Sequence, residues 1–142
     1  METLYKSEVI SEGGINGRVA SKGGELDVHT FAPSGARNSK SEKTNPEQLF
    51  AASYASCFNA TMHHIAEAKQ IDINDAKVKA IVEALQVSKG DLEFALEIEV
   101  DLPGIDKQEA QSLLEEAYRN CPISKATDGN MKVDVKLTNT YD

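Results

Sequence analysis

The chain has two cysteines, Cys57 and Cys121, and each sits in a segment suited to thiol chemistry. Cys57 lies within Asn45-Pro-Glu-Gln-Leu-Phe-Ala-Ala-Ser-Tyr-Ala-Ser-Cys-Phe58, and no charged residue stands between Glu47 and His63 in a chain that is 27% charged. Such a run predicts a buried helix with a thiol in its middle. Cys121 opens Cys121-Pro-Ile-Ser-Lys-Ala-Thr127, at the end of a second predicted helix, where it is positioned to reach the first thiol. Two thiols in an apolar pocket point to sulfur chemistry, whose reactive form is the thiolate.

Competing chemistries find less support. His63 and His64 are adjacent on a helix and so project about 100° apart, and there is no Cys-x-x-Cys, so no metal site is expected. His29 reads as an exposed strand residue. Asp72, Asp75, Asp101 and the glutamates around Glu93 read as a solvated acidic face. No glycine-rich nucleotide loop, P-loop or Gly-x-Ser-x-Gly elbow is present. A net charge of −8 argues against nucleic acid and anionic membrane as partners. The longest uncharged run, Gln48 to Met62, is shorter than the ~20 residues that span a bilayer. The N-terminal Met-Glu-Thr-Leu-Tyr-Lys-Ser-Glu has no apolar stretch of the kind a secretory signal needs. A cytoplasmic location is therefore expected, where paired cysteines are more often redox-active or catalytic than permanently bridged. No bound cofactor is expected.

The elements that must position the thiols read as one α+β domain over residues 1–142, long enough to bury a sizeable core. A strand is expected at 4–10. Arg18–Ser21 and Glu25–Phe31 form a hairpin about Lys22-Gly-Gly24, with Leu26, Val28 and Thr30 on one face. Residues 33–43 are polar and read as a loop. A helix starts at Pro46, capped by Thr44 or Asn45, with Glu47 complementing its positive end, and runs to about Lys69. Its stripes Leu49/Ser53/Cys57/Ala60/His64 and Phe50/Tyr54/Phe58/Met62 are small or apolar, which predicts burial nearly all round. Val78–Val87 and Leu92–Val100 are strands joined at Lys89-Gly90-Asp91. Asp106 and Glu109 open a helix that stops before Cys121-Pro122. Met131–Leu137 alternates as a last strand. The fold class is thus α+β, with mostly antiparallel sheets around a buried central helix that carries Cys57.

Thr44-Asn-Pro-Glu-Gln-Leu-Phe-Ala-Ala52, Cys57-Phe58, Leu102-Pro-Gly104 and Cys121-Pro-Ile-Ser-Lys-Ala-Thr127 together resemble the Ohr/OsmC family of peroxidases. Gly17-Arg18-Val19 and Glu25-Leu26-Asp27-Val28 fit the same pattern. The likeness covers essentially the whole chain and is nearer to the organic hydroperoxide resistance branch than to the osmotically inducible one. It implies an OsmC-like fold, an intertwined homodimer and reduction of alkyl and fatty-acid hydroperoxides to alcohols. It also implies that a lipoylated protein or another dithiol reduces the resulting disulfide. Ser53 stands where the family has Gly or Ala, and Ile123 where the branch often has Tyr, which bears on substrate range.

Under that resemblance Cys57 attacks the hydroperoxide and becomes a sulfenic acid, and Cys121 resolves it as a disulfide. A free thiol has a pKa of ~8.5. Burial raises it, and the helix dipole does not reach a residue about three turns inside the helix, so a cation is required. Arg18 matches the family as that cation, and Glu47 as the carboxylate that orients it. Along a straight helix Glu47 lies about 15 Å from Cys57, too far for one arginine to touch both. Glu47 and Arg18 are therefore expected from the second subunit, in composite active sites. Other readings stay open: an inert core thiol for Cys57, a structural cysteine or permanent bridge for Cys121, a solvated charge for Arg18 and a helix-start charge for Glu47. Phe50, Phe58, Met62, Tyr118 and Ile123 either line an apolar substrate pocket or pack the core. The alternative functions are a binding protein for a hydrophobic ligand and a redox sensor.

Overall fold

A computed structural model describes residues 1–32 and 43–138. The chain divides into two compact units, Met1–Leu49 and Phe50–Asp142. The polar segment expected as a loop lies outside the described residues apart from Lys43.

In the first unit β1 (Val9–Glu12), β2 (Arg18–Ser21) and β3 (Asp27–His29) form an antiparallel sheet in that order. β1 begins later than the alternation of 4–10 suggested. Its register is set by β2, with Val9 opposite Ser21 and Glu12 opposite Arg18, so Leu4 and Tyr5 have no strand to face and are exposed. The β1–β2 connection depends on glycine at two points. Gly13 has φ of 80°, and a Cβ on Gly17 would come within 1.9 Å of the Glu12 carbonyl oxygen. Only glycine allows the backbone to pass that closely. The β2–β3 hairpin turns at Lys22-Gly-Gly24 as expected, closed by Ser21 N donating to Leu26 O at 2.8 Å. Leu26 and Val28 are half-buried, Thr30 is buried, and Asp27 and His29 are exposed, as the alternation required. Thr30 bridges to Thr44, and Thr44 N donates to His29 O at 2.8 Å, which ties the approach to α1 onto β3.

α1 spans Pro46–Ala68. Its start is capped by Asn45, whose Oδ1 accepts from Gln48 N at 2.8 Å, satisfying one of the free amides of the first turn. It ends where Gln70 turns to φ of 58° and Ile71 N donates back to Ala66 O at 2.9 Å.

In the second unit β4 (Lys77–Ser88) and β5 (Asp91–Asp101) form a long antiparallel hairpin, and β6 (Val133–Leu137) adds to β5 in parallel. α2 (Lys107–Asn120) starts at Asp106, whose carboxylate accepts from Gln108 N and Glu109 N at 3.1 and 3.2 Å. A short helix, α3 (Pro122–Thr127), follows at once. It was not foreseen, since six residues are too few to show a helical period. Tyr54, Phe58, Met62 and Ile65 of α1 pack with Leu96, Ile98 and Val100 of β5 and with Ala110, Leu113, Leu114 and Ala117 of α2.

α1 is not buried all round in the single chain. Tyr54, Phe58, Met62, Ile65 and Ala66 are buried, whereas Ala52, Ser53, Ser56, Ala60 and His64 are exposed. The stripe of small residues was read as a packing face, but of that stripe Cys57 packs against the core while Ser53, Ala60 and His64 are exposed. The far end of the β4–β5 hairpin is likewise uncovered, with Leu85, Val87 and Leu92 exposed. Among the described residues no helix is long and apolar enough to cross a membrane.

Candidate thiol site

Cys57 projects from the middle of α1 and Cys121 from the junction of α2 and α3. Cys121 is at once the last cap of α2 and the first of α3, with φ −64° and ψ 123°. Its N–H closes α2 by donating to Ala117 O at 2.8 Å, and its carbonyl opens α3 by accepting from Lys125 N at 3.0 Å. Pro122 enforces the break, because it has no N–H with which to continue α2 and suits the first position of a new helix. The two Sγ atoms lie 3.7 Å apart, with both thiols free. Cys121 is fully buried and Cys57 half-buried. A disulfide needs about 2.05 Å between sulfurs, so the two thiols are in contact but not bonded.

Burial pushes the Cys57 thiol pKa up, and the neighbouring Cys121 sulfur adds to the shift. The Ile123 backbone and the Thr61 hydroxyl pull it down by less. Among the described residues no cation acts on the Cys57 thiol to favour its thiolate.

Arg18 and Glu47 both belong to the first unit and do not pair there. Arg18 Nε and Nη2 donate to Asp27 Oδ1 and Oδ2 at 2.7 and 2.6 Å, a two-point fork between exposed side chains. Each charge favours the other: the hydrogen bond from Arg18 lowers the Asp27 pKa, and that to Asp27 raises the Arg18 pKa. Glu47 stands in the first turn of α1 and is half-buried. Its Oε2 is shielded from solvent and has no hydrogen-bond partner among the described residues. A shielded carboxylate oxygen is costly to leave without a hydrogen-bond donor.

Two residues beside the thiols were not singled out by the sequence. Tyr54 OH and Ser124 Oγ share a hydrogen bond of 2.6 Å deep in the second unit. Asp27 was also passed over as a partner of Arg18. The hairpin register holds that signal: Arg18 faces His29 and Ala20 faces Asp27, which sets Arg18 and Asp27 diagonally on one face. Of the aromatic and apolar candidates, Phe58 and Met62 are fully buried core residues. Phe50 stands edge-on to Tyr54, with ring centroids 6.4 Å apart, and is tilted against Phe94 at 6.0 Å. Tyr118 lines a cavity of about 370 Å³ between α2 and β6, which neither cysteine enters. Ile123 stays half-buried beside the thiols' helix junction. Among the described residues no group of three or more His, Cys, Asp or Glu side chains is arranged to hold a metal.

Residues 38–136 match the family model described as OsmC-like protein. The chain is 38% identical over 135 residues to the organic hydroperoxide resistance protein OhrB of Bacillus subtilis, covering 94% of this chain and 96% of that one. It is 35% identical over 138 residues to the organic hydroperoxide resistance protein of Xanthomonas axonopodis pv. citri, covering 96% and 95%. The crystal structure of an organic hydroperoxide resistance protein from Elizabethkingia anophelis, with thiocyanate bound, is similar with a TM-score of 0.88 and 34% identity over 99% of this chain and 100% of that one. The fold, the paired thiols and these likenesses agree: the chain belongs to the OsmC-like proteins, on the branch named for organic hydroperoxide resistance.

Proposed function

We propose that the protein is a two-cysteine peroxidase that reduces organic hydroperoxides to alcohols. The observation that carries this reading is the 3.7 Å approach of Cys57 and Cys121, one half-buried and one fully buried. The Cys57 thiolate attacks the terminal oxygen of ROOH. The S–O bond forms, the O–O bond breaks, and the alkoxide leaves and takes up a proton as alcohol. Cys121 then displaces hydroxide from the sulfenic acid, giving a disulfide and water. A dithiol returns both cysteines to the thiol form by exchange. Relatives named for organic hydroperoxide resistance support the choice of substrate, and the apolar surroundings of the thiols suit an alkyl or fatty-acid chain. A lipoylated protein is the proposed reductant, with the cytoplasm, where reduced dithiols persist, as the location.

The active unit is proposed to be a homodimer with composite sites, in which Arg18 and Glu47 of one subunit serve Cys57 of the other. Three observations support this. The Cys57 pKa is raised rather than lowered, Glu47 Oε2 lacks a donor among the described residues, and apolar side chains at Val9, Ile10, Leu85, Val87 and Leu92 are exposed in the single chain. A steady-state assay with dihydrolipoamide tests the function. Turnover of cumene hydroperoxide well above that of hydrogen peroxide, abolished in Cys57→Ser, is expected. Undiminished turnover in Cys57→Ser would overturn it.

A further inference from the structure

Two contacts link α1 to the α2–α3 junction. One is Cys57 Sγ to Cys121 Sγ at 3.7 Å, and the other is Tyr54 OH to Ser124 Oγ at 2.6 Å. Tyr54 stands three residues before Cys57, and Ser124 three residues after Cys121. The contacts are therefore one helical turn apart on each side, with α1 and α3 running in opposite senses. Tyr54 and Ser124 are 0% and 1% exposed, so their hydroxyls are satisfied by protein groups, chiefly each other, rather than by bulk water.

α3 has only six residues, too few to persist on its own hydrogen bonds. Its buried side chains are Ser124 and Thr127, both polar, and Ile123 is only half-buried. Thr127 Oγ1 donates inside the helix, to Ile123 O and Ser124 O at 3.1 and 3.2 Å, and also stands near the Tyr54 phenol. The short hydrogen bond between Ser124 and Tyr54 fastens α3 to α1, helped by Thr127 near the same phenol and by the Ile123 backbone near the Cys57 sulfur. Cys121 sits at the hinge this bond steadies, with no side-chain cap of its own. Burial raises the Tyr54 pKa, so the phenol keeps its proton across the range in which thiols ionise.

We propose that Tyr54 and Ser124 are positioning residues for the step in which Cys121 attacks oxidised Cys57, an inference that rests on the peroxidase reading above. In that step the Cys121 sulfur attacks the Cys57 sulfenic sulfur. An S–S bond forms, the S–O bond breaks, and hydroxide departs with the Cys121 proton as water, so no further reagent is needed. The hydrogen bond holds the first turn of α3 where that attack needs only a small closing motion. Without it Cys121 swings out of reach, and the sulfenic acid lasts long enough for a second hydroperoxide molecule to oxidise it to sulfinic acid.

The test mixes fully reduced protein with cumene hydroperoxide and quenches at intervals. The Cys57 sulfenic acid is read by a dimedone trap, and the Cys57–Cys121 linked peptide by mass. Wild type, Tyr54→Phe, Ser124→Ala and the double variant are compared. The first step should stay within about twofold of wild type, while disulfide closure slows about tenfold or more. Excess peroxide should then leave more Cys57 as sulfinic acid. The double variant should be no slower than the slower single variant, because both changes remove one bond. Closure at the wild-type rate in both single variants overturns the positioning role, as does equal slowing of both steps. Wild-type protein that never forms the linked peptide overturns the peroxidase reading and this inference together.

Discussion

The sulfurs of Cys57 and Cys121 meet at 3.7 Å although 64 residues separate them in the chain. They are unequal partners. Cys57 is half-buried in mid-helix and Cys121 fully buried at the α2–α3 junction, so under the proposed function the hydroperoxide meets Cys57 first. Cys57→Ser should abolish peroxidase activity. Cys121→Ser should give one fast turnover with cumene hydroperoxide and then stop, with Cys57 accumulating as sulfenic and sulfinic acid. Stopped-flow peroxide consumption followed by mass analysis checks both, and sustained dihydrolipoamide-dependent turnover in Cys121→Ser would contradict the resolving role.

The pH profile reports whether Arg18 supplies the missing charge. Burial and the Cys121 sulfur raise the Cys57 pKa, which lowers the thiolate fraction at any given pH. Without a cation, only a few per cent or less is thiolate at neutral pH. Arg18→Met should therefore cut the rate of Cys57 oxidation at pH 7 by about 30-fold or more. Its rate should keep rising with pH into the alkaline range, whereas the wild-type rate levels off near neutrality. Thiol loss measured from pH 5 to 10 decides this, and a variant whose profile overlays the wild type would remove Arg18 from the site.

Composite sites make a sharp prediction for mixed subunits. Cys57→Ser and Arg18→Met homodimers should both be nearly inactive. A heterodimer of the two has one intact site, because the Arg18→Met chain keeps its Cys57 and the other chain keeps its Arg18. Unfolding and refolding an equal mixture should restore about a quarter of wild-type activity, as random pairing makes half the dimers mixed. If both residues acted within one chain, the mixture would recover nothing.

Gly17 sets the entry of β2 and hence the place of Arg18. A Cβ there meets the Glu12 carbonyl oxygen at 1.9 Å, and backbone cannot yield as a side-chain tip can. Gly17→Ala should cost about 1–3 kcal/mol in urea unfolding and should also lower the oxidation rate by moving Arg18. A stability within error of wild type would show that the β1–β2 turn absorbs the methyl group.

What was legible in the sequence follows from how local each signal is. The β2–β3 hairpin, α1 with its Asn45 cap, the β4–β5 hairpin and the Asp106 start of α2 are written in neighbouring residues, and the structure has them where expected. β1 was misplaced because its limits depend on pairing with β2, a tertiary constraint that overrides the alternation of 4–10. The exposure of Ser53, Ser56 and Ala60 was unreadable for a different reason: small residues suit an interface as well as a core. At the site, the motifs named both thiols. The Tyr54–Ser124 bond and the Arg18–Asp27 fork were missed because they join residues through the fold rather than along one element.

The measurement that bears most directly on the central claim starts from fully reduced protein. One equivalent of cumene hydroperoxide is added, with hydrogen peroxide in parallel, and intact mass and linked peptides are read over time. Rapid loss of two hydrogens with a Cys57–Cys121 peptide, much faster for the organic peroxide, is the result the two-cysteine mechanism requires. Thiols left unchanged by both peroxides would contradict it, and the paired cysteines would then belong to a ligand-binding protein rather than an enzyme.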